Sequence, residues 1–359
     1  MARKTISLLV LAIVATGLWG REQEQEIKYR PPTEVKAAFL KMLDRPKVEL
    51  GWTVSSKTNE GDNDIWVGDF ASEKKANGTL ERVPVLIVKP VELRGKAPVV
   101  ICLHGTGGNK ESQIGLMKDL AQRGIVGVAI DARYHGARAG GAAGSKAYVA
   151  AIIRAWQTKP GQPMEHPFYY DTCWDLWRTV DVLEKLDFVD ANRIGMIGFS
   201  MGGIQTWLAA SVDDRIKVAV PAIGVQSFRW SLENDKWQAR AKTIDPVHKV
   251  VAQDLGETDV NARVCKALWT KLIPGILDQF DCPSMLRLFA GRSLLIINGD
   301  ADPNCPIEGA RLAFAEAEKA FAAANASDRL RVNVGKGVGH RVTPDQNRAA
   351  LEWLENGLK

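Results

Sequence analysis

No block of lysine or arginine occurs anywhere in this 359-residue chain, and its formal charge of +5 is spread thinly along it. Nucleic-acid binders carry a concentrated basic footprint, so this distribution excludes that class of partner. Cysteine is scarce as well. The five (Cys102, Cys173, Cys265, Cys282 and Cys305) fall at irregular spacings. They make neither a disulfide framework nor a C-x-x-C metal pair. Cys102 reads as a small core residue in an apolar strand, and Cys265 and Cys282 could pair if the chain is exported. No internal repeat is present, which excludes solenoids and propellers. A bilayer span needs about twenty apolar residues. The most apolar stretch near the start, Ile6 to Val14, is shorter.

That stretch follows Arg3 and Lys4, contains no charge, and gives way to small residues at Ala15 and Gly17 before charge returns at Arg21. A basic start, a short apolar run and small residues predict a secretory signal peptide over 1–20, and so an exported protein. The competing reading is an amphipathic start to a cytoplasmic chain. No cysteine follows the apolar run, which argues against a lipid anchor.

Beyond it, 46% hydrophobic and 25% charged residues describe an ordinary globular chain long enough for one large core. Residues 21–63 are polar and mixed in charge, a predicted N-terminal extension with a short helix over 33–43. Two β-rich segments, 65–70 and 80–88, are separated by turn-forming residues and predict an antiparallel entry to a sheet. After Pro98 the pattern changes. Val99-Val100-Ile101-Cys102-Leu103 is continuously apolar, as a strand covered on both faces must be. Strands over 125–130, 193–198, 216–220, 293–298 and 330–334 then alternate with helices over 111–123, 171–186, 201–210, 307–321 and 344–358. This alternation predicts an α/β fold with a mostly parallel central sheet and helices on both faces. The domain spans 64–359. Two segments interrupt it, 132–167 and 224–291, the second mostly helical and following the sixth predicted strand. Both leave the carboxyl ends of strands, where open α/β sheets bind ligands. Trp230, Trp237 and Trp269 lie in the second; core packing is the expected role for each, with stacking on a sugar or acyl group the alternative.

Gly198-Phe199-Ser200-Met201-Gly202-Gly203 sits between a predicted strand and a predicted helix. In that context G-x-S-x-G places the serine on a strained turn with its hydroxyl above the sheet. Gly198 and Gly202 let the chain turn there without a side-chain clash. Ser200 is therefore the candidate nucleophile, and Met201, opening the helix, offers an unpaired N–H. His104-Gly105-Thr106-Gly107-Gly108 follows the first parallel strand. There a second oxyanion donor belongs, and the Thr106 N–H is the candidate. His104 is expected to orient this loop and Gly105 to allow close approach. A dinucleotide fingerprint starting at Gly105 needs glycine where Lys110 stands, and a P-loop needs it at Asn109. The spacing disfavours nucleotide binding.

Of five histidines, only His340 follows the last predicted strand, so it is the candidate base. His135 is expected to shape the pocket floor, while His166 and His248 have no recognisable context. Asp300 and Asp302 both follow the strand over 293–298. Asp302 is preferred as the acid because the extra residues let its loop reach His340, with Asp300 capping the turn. The Asp300/Asp302/Asn304 spacing resembles a calcium loop, but Cys305 replaces the required glycine and Arg311 the glutamate. No metal or cofactor is expected. The order Ser200, Asp302, His340 is that of the α/β-hydrolases.

From about Val83 onward the chain resembles the α/β-hydrolase superfamily, nearest the branch of dienelactone-hydrolase-like proteins, acetyl xylan esterases and prolyl-oligopeptidase-type peptidases. The resemblance rests on several segments. They are His104-Gly105, Asp187-Phe188-Val189-Asp190 with Arg193-Ile194, the turn at Ser200, Gly299 through Asp302 to Pro306, and Gly339-His340. It implies a Ser200–His340–Asp302 triad acting through an acyl-enzyme on a small-molecule ester. True dienelactone hydrolases use cysteine, and the peptidases carry a β-propeller for which residues before 83 leave no room. A short-acyl or acetyl esterase is the reading these departures favour. A peptidase or amidase on the same machinery, or a silent binding protein of the same fold, are the alternatives.

Overall fold

The computed structural model describes residues 28–359; the predicted signal peptide lies outside them. Nine strands form one sheet among the described residues: β1 (Thr53–Glu60), β2 (Asn63–Lys74), β3 (Leu80–Pro90), β4 (Ala97–Leu103), β5 (Val126–Ile130), β6 (Val189–Phe199), β7 (Ile216–Ala222), β8 (Ser293–Gly299) and β9 (Leu330–Gly335). Their spatial order is β1-β2-β3-β5-β4-β6-β7-β8-β9. Pairing is antiparallel from β1 through β3 to β5, and parallel from β5 across to β9.

Twelve helices surround it: α1 (Pro32–Leu43), α2 (Ile114–Ala121), α3 (Lys146–Trp156), α4 (Tyr170–Leu183), α5 (Met201–Val212), α6 (Phe228–Glu233), α7 (Gln238–Lys242), α8 (Asp245–Asp254), α9 (Ala262–Leu272), α10 (Cys282–Leu286), α11 (Ile307–Ala323) and α12 (Pro344–Leu358). Among the described residues no helix is long and apolar enough to cross a membrane. One core joins α1, α4, α5 and α11 to one face of the sheet, and a smaller one joins α2 and α12 to the other.

The central strands read as they pack. All of β5 and all but one residue of β4 are buried, so neither needs a polar face. Every residue of α5 is buried too, and apart from Gln205, Thr206 and Ser211 its sequence is apolar or glycine. Helix α12 starts where Thr343 accepts from the Gln346 N–H and the Gln346 side chain accepts from the Thr343 N–H. This reciprocal cap with Pro344 behind it fixes the helix start.

Strand β1 was not expected. Its residues, Thr-Val-Ser-Ser-Lys-Thr-Asn-Glu, are nearly all exposed at the sheet edge, so no alternation marks it; polar edges of this kind also resist edge-to-edge pairing. The strand counted sixth from the sequence is therefore β7, and the helical insertion that follows it holds α6 to α10. The segment read as an extension contributes α1 and β1, with Phe39 of α1 fully buried against Tyr170, Trp177 and Phe280. All five cysteines are free and buried, Cys265 and Cys282 included. Trp269 is fully buried and Trp237 nearly so, as core packing requires, whereas Trp230 is half-buried against Gly309.

Candidate active site

The nucleophile turn follows from the close approach of two backbones. A Cβ on Gly198 would stand 2.2 Å from the Gly202 carbonyl oxygen, so only glycine lets β6 run directly into α5. Between them Ser200 is held at φ 54° and ψ −111°, a conformation of high energy for a non-glycine residue. Its N–H donates to the Ala222 carbonyl at the end of β7 (3.0 Å). The surrounding sheet therefore supplies what the strained turn costs.

The acid and base arrive on the next two strand ends. The Asp300 N–H donates to the Gly335 carbonyl and the Ala301 N–H to the Val338 carbonyl, each at 3.0 Å. The loops after β8 and β9 thus remain paired beyond the strands. Asp300 Oδ1 accepts from the Gly337 N–H at 2.6 Å, the turn-capping task expected of it. Two residues on, Asp302 is buried with one oxygen on each partner. Oδ1 accepts the N–H groups of Asn304 (2.8 Å) and Cys305 (3.3 Å), while Oδ2 accepts from His340 Nδ1 at 2.7 Å. His340 Nε2 then lies 2.8 Å from Ser200 Oγ. With Nδ1 protonated toward a carboxylate, Nε2 is the basic nitrogen and faces the hydroxyl proton.

The same acid and base, with Cys305, place three potential metal-ligand atoms within 4.8 Å of one another. Their engagements point elsewhere. Both imidazole nitrogens are committed to Asp302 and Ser200, and Cys305 Sγ donates to the Ile223 carbonyl at 3.3 Å.

Around this centre the other predicted residues take definite places. His104 Nδ1 donates to the Gly105 carbonyl (2.8 Å) and Nε2 accepts from the Ala132 N–H (3.2 Å), so the ring ties its own loop to the start of the first insertion. His135 lies behind it, fully buried, its ring centroid 5.2 Å from that of His104 and 4.6 Å from that of Tyr148. Burial above all, then the neighbouring His104, lowers it to about 4, so it is neutral. His166 Nδ1 bonds the Leu272 carbonyl, and His248 is sealed beside Trp269.

Two features had no signal in sequence. One is a buried ionic cluster beneath the first insertion. Arg133 donates from Nε and Nη2 to the two oxygens of Asp175 (2.7 and 2.9 Å), and Arg138 reaches both Asp175 and Glu81. Burial opposes the charge on Asp175, but the two guanidinium groups outweigh it and hold the carboxyl well below its usual range. The other is Arg240 of α7, which bonds the Asn304 carbonyl (2.8 Å) beneath the acid loop. Long sequence separation hides both.

The acetyl xylan esterase (AXE1) family matches residues 75–229, a segment that includes Ser200. "Putative hydrolase YtaP" of Bacillus subtilis is 25% identical over 291 residues, 77% of this chain and 84% of its own length. "Putative esterase YitV" of the same organism is 25% identical over 289 residues, 79% of this chain and 98% of its own. Among solved structures, acetyl xylan esterase 1 from Thermoanaerobacterium sp. shares the fold with a TM-score of 0.64 at 17% identity. It covers 93% of this chain and 96% of that one. Sheet order, the turn at Ser200 and the relay through His340 to Asp302 agree with these likenesses: the chain has the α/β-hydrolase fold and carries the triad of a serine hydrolase.

Proposed function

We propose that this enzyme hydrolyses carboxylic esters of short acyl groups, acetyl esters foremost, by way of an acyl-enzyme on Ser200. The observation that carries the reading is the unbroken relay from Ser200 Oγ through His340 to Asp302, at 2.8 and 2.7 Å. Ser200 Oγ attacks the carbonyl while His340 Nε2 takes its proton, then returns it to the leaving alcohol. Asp302 keeps Nδ1 protonated and stabilises the imidazolium. Water repeats the cycle on the acyl-enzyme.

The oxyanion is assigned to the N–H groups of Met201 and Thr106. Met201 is the first residue of α5, so its N–H has no acceptor within the helix. Thr106 lies in the turn closed by Gly108 N–H to the Gly105 carbonyl (3.0 Å), and Gly105 stands against the serine. One such donor is worth roughly 3 kcal/mol in the transition state. The acyl preference draws its support from the acetyl xylan esterase family match across the nucleophile. Export, expected from the N-terminal pattern, belongs to the same proposal. N-terminal sequencing of the secreted or periplasmic protein tests it.

Turnover of p-nitrophenyl acetate, butyrate and octanoate, of acetylated xylo-oligosaccharides, and of aminoacyl p-nitroanilides tests the function. The acetyl esters should be fastest, and Ser200→Ala should cut their turnover by about 10⁴ to 10⁶-fold. Anilides cleaved faster than esters would replace the esterase by a peptidase. Failure of a fluorophosphonate to label Ser200 would leave a binding protein of this fold.

A further inference from the structure

Arg240 is 3% exposed, and its hydrogen-bond partners are uncharged. Nη2 donates to the Asn304 carbonyl at 2.8 Å and to Cys305 Sγ at 3.3 Å, while the buried Nε meets no partner. A buried guanidinium without an ion pair is costly, so a counter-charge must lie near it. The titratable groups that face it are Asp302, Cys305 and Tyr169, with Tyr148 beyond. Burial acts to discharge Arg240; Cys305 and Tyr169 oppose it only when ionised, Asp302 opposes it as well, and the group keeps its proton. Burial also pushes both Cys305 and Tyr169 up to about 12, and Tyr148 well above its usual value. All three are neutral at pH 7. Asp302 is the one carboxyl group of the four, and its oxygens accept from the Asn304 and Cys305 N–H groups and from His340 Nδ1.

We propose that Arg240 is a positioning residue of the triad, anchoring the Asn304–Cys305 turn and acting as counter-ion to Asp302 from behind the cleft. The inference rests on the triad reading above. Two paths run from it. The Asn304 and Cys305 N–H groups hold Asp302 Oδ1, and Arg240 holds the carbonyl and sulfur of those same residues. Cys305 Sγ in turn donates to the Ile223 carbonyl at 3.3 Å. Ile223 follows Ala222, the acceptor for the Ser200 N–H, so one chain of contacts joins the acid loop to the nucleophile turn. Being sealed from solvent, Arg240 touches no substrate and acts through Asp302.

The test is kcat and KM on p-nitrophenyl acetate from pH 5 to 9 for wild type, R240Q, R240K and S200A, with a thermal melt of each. R240Q should lose about 10 to 100-fold in kcat, the scale of a small misplacement of a catalytic group. Its KM should stay within about twofold, since no substrate contact is lost. Its acid limb in kcat/KM should move up by about one pH unit, because the protonated relay no longer faces a nearby cation. R240K keeps the charge without the planar fork, so its limb should stay in place while kcat falls. An unmoved limb in R240Q, or wild-type kcat there, overturns the proposal. If R240Q does not fold, R240K decides: a limb in place with lowered kcat supports the assignment, and a displaced limb defeats it. S200A at the wild-type rate would instead defeat the triad reading, which separates the two failures.

Discussion

His340 Nδ1 meets Asp302 Oδ2 at 2.7 Å, although 38 residues separate them. Their loops stay paired after β8 and β9 end, so the contact is set by the backbone ladder as well as by the side chains. Asp300 and Asp302 are consequently not interchangeable.

Exchanging each aspartate for asparagine should show this directly. D302N removes the acceptor that keeps Nδ1 protonated, and turnover of p-nitrophenyl acetate should fall by about 10⁴-fold. D300N retains an oxygen that can accept from the Gly337 N–H. It should stay within about fivefold of wild type, the scale of a neutral exchange away from the relay. Equal losses in both would mean that the two loops carry the acid differently.

Gly299→Ala probes the spacing between those loops. A Cβ there would lie 2.0 Å from the Val338 carbonyl oxygen and 2.9 Å from that of Gly339. The loop carrying His340 must move, and kcat should drop by about 10 to 100-fold. The accompanying loss of stability should be about 1–3 kcal/mol, measured by urea unfolding.

Asp175→Asn addresses the ionic cluster. With the carboxylate gone, Arg133 and Arg138 keep buried charge that Glu73 and Glu81 match only in part. Unfolding at pH 7 should need about 3–5 kcal/mol less. The folded protein holds Asp175 well below the usual carboxylate range, so its contribution is present above about pH 4. It is lost as pH falls through the depressed value. D175N should lack that acid-dependent step in a urea series run from pH 5 to pH 2.

His248→Phe should change stability at milder acidity. Burial lowers His248 to about 4, whereas the unfolded side chain titrates near 6.5. Between those values the unfolded chain binds a proton that the native protein refuses. Stability therefore falls as pH drops from about 6.5 to 4, by roughly 3 kcal/mol for this group. Asp281, raised by burial to about 6, works in the opposite direction over part of the same window. The difference between wild type and H248F isolates the histidine, and parallel pH profiles would rule out its burial as a neutral ring.

Much of this site is local enough to read from the chain. Ser200 sits in a six-residue turn whose glycines, strand and helix are all contiguous. The choice of Asp302 over Asp300 needed only loop reach, and α12 runs over the predicted residues because its cap and proline are adjacent. What escaped depends on distance or on the absence of pattern. Strand β1 is polar on both faces, so no alternation marks it. Arg133 and Asp175 are 42 residues apart. Arg240 and Cys305 are 65 apart, and Arg240 lies in a helical insertion where one arginine resembles any other.

The two insertions leave from the ends of β5 and β7, while the triad hangs from the ends of β6, β8 and β9. The insertions and the triad thus occupy interleaved attachments at the carboxyl ends of the parallel strands. Exchanging the second insertion would also exchange Arg240, and with it the bonds to the Asn304 carbonyl and the Cys305 sulfur. A transplanted insertion without this guanidinium would leave the turn beside Asp302 without its anchor.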